Sequence, residues 1–450
     1  MIIEDDFDLG RVLTCEGDYF SILARYAEAL ESYQSAIASY DSALTLAPDY
    51  INALNGKGNA LQSLADLQSQ LSQHPQALES YVSAIASYDR ALTLAPDDIN
   101  ALNDKGNALT KLALLQSQLS KYPQALESYE SAIASCDSAL TLEPDNINAL
   151  KNKGNALQNL ANLQSRLSHH SQALGSYLSA ITFYERALIL APNYILALNN
   201  KGLALQSLAL LQSRLSKYPQ ALKSYSSAIA SYDSALTLAP DYIITLKNKG
   251  NALKNLALLQ SRLLQHPQAL ESYESAIASY DRALTLAPDD IIALNKKGNA
   301  LLSLADLQSR LSQHSQALKS YESAIAFYER ALTLAPDYIY AIKNKGNALQ
   351  NLADLQSQLS QHPQALESYS SAIASYDRAL TLAPDYIYAL NNKGNALVKF
   401  ADLQSQLFQE QEALNNYQRA LVAFNRSLAI VPHNQNIQGL RDKLQEFLGN

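Results

Sequence analysis

The chain has 450 residues, of which 48% are apolar and 17% charged, with a formal net charge of -8. This balance supplies ample material for a core and excludes general disorder. The acidic charge argues against a surface built to neutralise phosphates, so no nucleic-acid partner is expected. Residues 1–6 include three acidic side chains, and no run approaches 18 apolar residues, so we expect no membrane insertion and a cytoplasmic location.

A proline recurs every 48 residues along the whole chain. The sequences between these prolines align without insertion or deletion, which indicates an internal repeat. The predicted repeats are 1–48, 49–96, 97–144, 145–192, 193–240, 241–288, 289–336, 337–384 and 385–432. We interpret 1–48 as an N-terminal cap, because it has charged residues or glycine where later repeats have apolar residues or alanine, and 433–450 as a C-terminal capping helix. The period therefore predicts one solenoid over 1–450 rather than separate globular domains.

The first half of each repeat is predicted to be a helix. In the repeat 49–96, apolar and small residues such as Leu54, Gly58 and Leu61 recur at steps of three or four. Asp49, directly after the boundary proline, is expected to cap this helix. A glycine inside a helix costs about 1 kcal/mol relative to alanine, so its recurrence at this position predicts a close approach of another helix.

The second half of each repeat is predicted to be an amphipathic helix that begins near a first-turn proline such as Pro75. Its apolar face carries alanines and one tyrosine that is present in every repeat. We interpret this tyrosine column as core rather than as a ladder for stacking ligands. The column comprises Tyr33, Tyr81, Tyr129, Tyr177, Tyr225, Tyr273, Tyr321, Tyr369 and Tyr417.

These patterns resemble the tetratricopeptide repeat along the whole chain. The resemblance rests on NKGNAL at 152–157 and on SYDRALTLAPD at 87–97, with their equivalents in other repeats. It implies an all-α fold, a right-handed superhelical solenoid of antiparallel helix pairs with about 19 helices. Family repeats usually have 34 residues. The 14 additional residues correspond to nearly four helical turns, so both helices are expected to be about two turns longer, near 30 Å each.

The repeats leave no separate segment for a catalytic centre, so we expect no enzyme and no cofactor. His74, His170 and their equivalents lie in the predicted turn between the two helices. Their spacing along the stack is about the width of a helix pair, which is too large for a shared metal ion.

The resemblance implies that the first helices line a concave groove holding an extended peptide or a partner's helix. Asparagine dominates three columns at the matching positions, and an amide that both donates and accepts can pair with a peptide bond. The alternative is that these are only solvated helix positions. The first asparagine column is Asn55, Asn103, Asn199, Asn295 and Asn391. The second is Asn152, Asn200, Asn248, Asn344 and Asn392. The third is Asn59, Asn107, Asn155, Asn251, Asn299, Asn347 and Asn395.

A lysine column directly precedes the recurrent glycine. Its members are Lys57, Lys105, Lys153, Lys201, Lys249, Lys297, Lys345 and Lys393. Clamp-type members of the family bind a partner's C-terminal carboxylate, but these lysines occupy a column that is often apolar in the family. We expect their stems to pack and their ammonium groups to reach solvent, favouring an acidic segment in the groove over a single carboxylate clamp.

The leading hypothesis is a non-enzymatic scaffold that binds an extended peptide or partner protein through many similar subsites, which favours long or repetitive ligands. One alternative is an architectural solenoid that associates with itself. Another is a regulatory arm for an enzyme on a different chain.

Overall fold

The computed structural model describes residues 2–449, and these residues form nineteen α-helices and no strand. The first helices of the repeats are α1 Ile2–Ile22, α3 Ile51–Gln70, α5 Ile99–Gln118, α7 Ile147–Arg166, α9 Ile195–Arg214, α11 Ile243–Arg262, α13 Ile291–Arg310, α15 Ile339–Gln358 and α17 Ile387–Gln406. The second helices are α2 Tyr26–Leu46, α4 His74–Leu94, α6 Tyr122–Leu142, α8 His170–Leu190, α10 Tyr218–Leu238, α12 His266–Leu286, α14 His314–Leu334, α16 His362–Leu382 and α18 Glu410–Ile430. The last helix is α19 Gln435–Gly449.

The chain divides into two compact units between Ala239 and Pro240, one residue before the predicted repeat boundary that follows Pro240. The first unit contains α1 to α10 and the second contains α11 to α19. Within each unit, every first helix packs against its own second helix, and that second helix packs against the first helix of the next repeat. This confirms the all-α fold of consecutive helix pairs. A single solenoid over the whole chain, and its right hand, stay predictions.

The helices have the predicted length. A typical pair, α3 and α4, has 20 and 21 residues, or about 30 Å each at 1.5 Å per residue. Three residues join the two helices, and the middle one has a positive φ although it is not glycine, as at Ser72 with φ 60°. The equivalent residues are Ala24, Ser120, Ser168, Ser216, Leu264, Ser312, Ser360 and Phe408.

The expected cap of the first helices was wrong by one residue. The residue after the boundary proline, such as Asp97, belongs to the turn, because the N–H of Asp98 already donates to the Ala95 carbonyl at 3.1 Å. The helix therefore begins one residue later, and Asp98 is the N-cap. Asn146 and Asp290 cap α7 and α13 in the same way, whereas several other first helices have a tyrosine at this position.

The tyrosine column is buried, as predicted: none of its nine members is more than 8% exposed. A second aromatic column on the same helices explains the recurrent glycine. A Cβ on Gly58 would lie 2.5 Å from Cε1 of Tyr88, which is fully buried. Equivalent rings face the glycine in other repeats, with Phe424 facing Gly394 and the Sγ atom of Cys136 facing Gly106.

Helix α19 covers the apolar end of the second unit. Ile437 and Leu444 are buried in one cluster with Tyr417 and Phe424. The ring of Phe447 lies 5.1 Å from that of Tyr417. Within residues 2–449, no helix is long and apolar enough to cross a bilayer.

Candidate binding surface on the first helices

The first helices form the inner layer of each unit. In both units they contact the first helix of the next repeat as well as the neighbouring second helices. Consecutive second helices show no contact of comparable extent in the described part of the chain. Closer spacing on one side curves a stack toward that side, so the first helices line the concave face of each unit.

The first asparagine column connects each repeat to the next. The amide of Asn55 donates to the Asp98 carboxylate at 2.8 Å, and that of Asn103 donates to the Asn146 side chain at 3.3 Å. Both acceptors are N-cap residues of the following first helix. In the last full repeat, Asn391 accepts from the Ser427 hydroxyl at 2.6 Å.

The second asparagine column also bridges repeats. Asn200 donates to Asn155 at 2.9 Å, and Asn392 donates to Asn347 at 2.8 Å. Asn344 donates to the Asn295 side chain at 3.1 Å. Three further members of these two columns are Asn152 on α7, Asn199 on α9 and Asn248 on α11.

The third asparagine column accepts hydrogen bonds from the second aromatic column. Tyr88 donates to Asn59 at 2.6 Å, and Tyr328 donates to Asn299 at 2.7 Å. The same bond forms at Asn155 and Asn347. Asn107, Asn251 and Asn395 lie at equivalent positions and are partly exposed. Much of the predicted peptide-binding set therefore also makes hydrogen bonds within the chain.

The lysine column points toward acids of the chain itself. Lys57 pairs with Asp41 at 2.5 Å, Lys105 with Asp89 at 2.6 Å, and each acid lies on the second helix of the preceding repeat. The same pairing occurs at Lys153, Lys201, Lys297, Lys345 and Lys393. Lys249 lies at the equivalent position on α11. Since these charges are neutralised locally, positive potential in the groove has to come from other basic residues.

Such lysines line a cavity of about 400 Å³ in the second unit, which we call the lysine cavity. It is lined by Asn251, Lys254, Tyr280, Asn295, Lys296, Asn299, Tyr338, Tyr340, Lys343 and Asn344. Burial lowers the pKa of all three lysines, and the neighbouring charge of Lys296 lowers that of Lys254 further. These lysines were not predicted from the sequence as site residues. The signal was their departure from the repeat, because Lys254 and Lys296 stand where other repeats have glutamine or asparagine.

Two exposed aromatic residues of the first helices were also not predicted from the sequence. Tyr340 is 56% exposed and Tyr388 is 69% exposed, and both lie in the first turn of a first helix. Each contacts the tyrosine two residues before it, with ring centroids 5.7 Å apart for Tyr338 and Tyr340. Exposed aromatic rings with a polar tip are common anchors at protein interfaces.

The first unit has an acidic side chain at the position of Lys296. Asp104 lies beside Asn55, Asn59 and Tyr40 in a separate cavity. Burial raises the pKa of its carboxyl to about 6, and the charge of Asp98 adds to this effect. The two units therefore present different electrostatic surfaces despite their shared repeat.

Residues 256–339 match the sequence model of the tetratricopeptide repeat. A tetratricopeptide repeat protein from Parabacteroides merdae is 17% identical with a TM-score of 0.39, over 76% of this chain and 98% of that chain. BtubC from P. vanneervenii is 16% identical with a TM-score of 0.39, over 58% and 91%. YrrB, described as a TPR protein with an unusual peptide-binding site, is 19% identical with a TM-score of 0.28, over 57% and 97%. No curated protein matches this chain.

The matched segment covers the repeat 289–336 and parts of its two neighbours. The same 48-residue pattern continues on both sides of it without a gap. Residues 256–339 are therefore identified as tetratricopeptide repeats.

Proposed function

We propose that this chain is a non-enzymatic scaffold whose first helices bind an extended segment of a partner protein. Tetratricopeptide repeats generally mediate protein–protein interaction. The observation that carries the proposal is the inner layer of first helices, where partly exposed asparagines line one cavity with the exposed ring of Tyr340, and where Tyr388 is exposed at the equivalent position of α17. Amides can pair with a partner's backbone, and the rings supply the apolar anchors that amides lack.

Only some of the predicted asparagines are well placed to bind a partner at this surface. Asn107 and Asn395 lack a phenol opposite them, because the aromatic column carries Cys136 and Phe424 in their repeats. Their amides are therefore better placed to bind a partner than those of Asn299 and Asn347, which accept from Tyr328 and Tyr376. Since the lysine column is paired with the chain's own acids, an acidic partner would be drawn to the lysine cavity.

Exchange of the groove tyrosines tests the proposal. Immobilised full-length chain carrying Tyr340→Ser and Tyr388→Ser should capture its partners at least tenfold less than the unmodified chain, as measured by quantitative mass spectrometry. The matched control is Leu178→Ser, which removes a side chain that is 55% exposed on the second helix α8. Equal capture by the tyrosine variant and the control would reject the groove.

Self-association, and an arm for an enzyme on another chain, are the competing functions. Light scattering coupled to size-exclusion chromatography should give one mass across a wide range of protein concentrations. A mass that rises with concentration would favour the self-associating solenoid, and an activity that copurifies but is absent from the isolated chain would favour the regulatory arm.

The proposal includes a cytoplasmic location, which the two unpaired cysteines, Cys15 and Cys136, support.

A further inference from the structure

The lysine cavity has an excess of positive charge that nothing in the cavity offsets. Its lining contains Lys254, Lys296 and Lys343 and no carboxylate. Asp290 is an acid whose negative charge acts on Lys296. It already pairs with Lys247 at 2.6 Å and caps α13 by accepting from the Ala293 N–H at 2.9 Å. In the second unit, as far as it is described, no ion pair is formed by the three cavity lysines.

A fourth unpaired donor lies in the same cavity. Tyr280 is fully buried, and its hydroxyl has no hydrogen-bond partner among residues 2–449. In other repeats a glutamine accepts from the equivalent hydroxyl, as Gln350 does from Tyr376 at 3.2 Å and Gln158 from Tyr184 at 3.1 Å. Lys254 occupies the position of that glutamine, so an acceptor has been replaced by a cationic donor.

Two of the three lysines are specific to this site, whereas the column of Lys343 also contains Lys151 and Lys247. Lys254 is the one lysine in its column, and Lys296 stands in the second asparagine column, where five other repeats have asparagine. Lys343 comes from the first asparagine column, one repeat further along. Three repeats thus contribute lysines to one cavity, in a chain whose net charge of -8 disfavours general attraction of anions.

We propose that the lysine cavity binds a phosphate group, as free phosphate or as a phosphate ester on a partner segment. A buried donor without an acceptor costs about 1–3 kcal/mol, so an oxyanion that accepts from Tyr280 and the lysines removes an existing penalty. Phosphate has three terminal oxygens on an ester and a charge of about -2 near neutral pH, which suits several donors. A carboxylate has two oxygens and one charge. The site shares Tyr340 with the proposed peptide groove, but binding of free phosphate does not require a bound peptide.

Titration of the full-length chain with inorganic phosphate tests the proposal. Isothermal titration calorimetry, at ionic strength held constant with chloride, should show saturable binding by the unmodified chain. Lys254→Gln and Lys296→Asn restore the residues of other repeats, and the new glutamine can accept from Tyr280, so both variants should fold. Each should weaken phosphate binding at least tenfold. The control, Lys319→Gln, removes an exposed lysine of α14 and should leave binding unchanged.

A second pair of titrations identifies the source of the phosphate. A neutral peptide with one phosphoserine that binds tighter than inorganic phosphate, while its serine form does not bind, indicates an ester on a partner. Tighter binding of inorganic phosphate indicates the free ion. Unchanged affinity in both Lys254→Gln and Lys296→Asn, or equal affinity of the unmodified chain for acetate, overturns the proposal. Phosphate binding that persists in a Tyr388→Ser variant, which removes a groove tyrosine that does not line the lysine cavity, keeps this result separate from that of the groove.

Discussion

At the scale of single residues, the contact between a glycine and an aromatic ring determines how closely the two helices of a repeat approach. A Cβ on Gly298 would lie 2.6 Å from Cε1 of Tyr328. That ring is fully buried and its hydroxyl is held by Asn299, so it cannot move away at low cost. The glycine is therefore retained against its poor helix propensity because it makes room for the ring.

We predict that Gly298→Ala lowers the free energy of unfolding by about 2 kcal/mol, because overpacking exceeds the gain in helix propensity. The control is Gly175→Ala in α8, where an added Cβ meets no atom within 4 Å. That change should stabilise the chain by about 0.5–1 kcal/mol. Urea denaturation followed by circular dichroism measures both changes. A Gly298→Ala variant that is as stable as the unmodified chain would contradict the steric explanation.

The buried acid Asp104 predicts a dependence of stability on pH. Its pKa in the folded chain is about 6, above the ordinary value of 3.8. Between these values the folded state binds the proton that the unfolded state has released, so stability falls as the pH rises from about 4 to about 6. The loss then persists at neutral pH.

Asp104→Asn places the asparagine of the second column at this position and removes the charge. We expect it to stabilise the chain by about 2 kcal/mol at pH 7 and to have little effect near pH 4. Thermal unfolding at a series of pH values measures the difference. The control Asp97→Asn changes an exposed acid at the start of the same repeat. A similar pH profile for both variants would refute the assignment to Asp104.

At the scale of secondary-structure elements, the turn between paired helices is tight because one residue adopts a left-handed conformation. Phe408 has this role between α17 and α18, with φ 62° and a side chain that is 92% exposed. Glycine is the usual residue at such helix ends, since a Cβ is strained there. The exposed ring provides no packing that would offset this strain.

Phe408→Gly should therefore raise the free energy of unfolding by about 0.5–1 kcal/mol, after the entropy lost by glycine on folding is subtracted. Phe408→Ala separates the two contributions, because it removes the ring and keeps the Cβ, and it should give no such gain. Guanidinium denaturation of the three proteins measures the effect. Equal gains for alanine and glycine would attribute it to the ring.

At the scale of the whole molecule, each unit has its own apolar core. In the second unit, clusters around Tyr273, Tyr321 and Tyr369 lie between consecutive helix pairs, and a further cluster includes α19. Repeat proteins derive their stability from such contacts between neighbouring repeats. The second unit consequently contains the contacts that its own repeats require.

We predict that the fragment 240–450 folds by itself, with the same mean helicity per residue as the full chain and a cooperative thermal transition. Far-UV circular dichroism of the two proteins at equal residue concentration checks this. A fragment that is largely unstructured would show that the second unit needs residues 1–239 to fold.

The amino-acid sequence by itself determined the period of 48, the helix pairs, their length and the burial of the tyrosine column. These properties follow from local spacing, because the same side chains at the same intervals produce the same amphipathic helices in every repeat. The recurrent glycine also indicated a close contact, although the ring that makes it was identified only by the structure.

Tertiary structure decided the partners of the polar side chains. The N-cap is Asp98 and not Asp97, because a hydrogen bond across the boundary proline forms a turn and the helix begins one residue later. Asparagines and lysines found acceptors in adjacent repeats, at distances that spacing in the sequence does not predict. Lys254 and Lys343 are 89 residues apart in the chain, yet both line one cavity because stacking brings α11, α13 and α15 together.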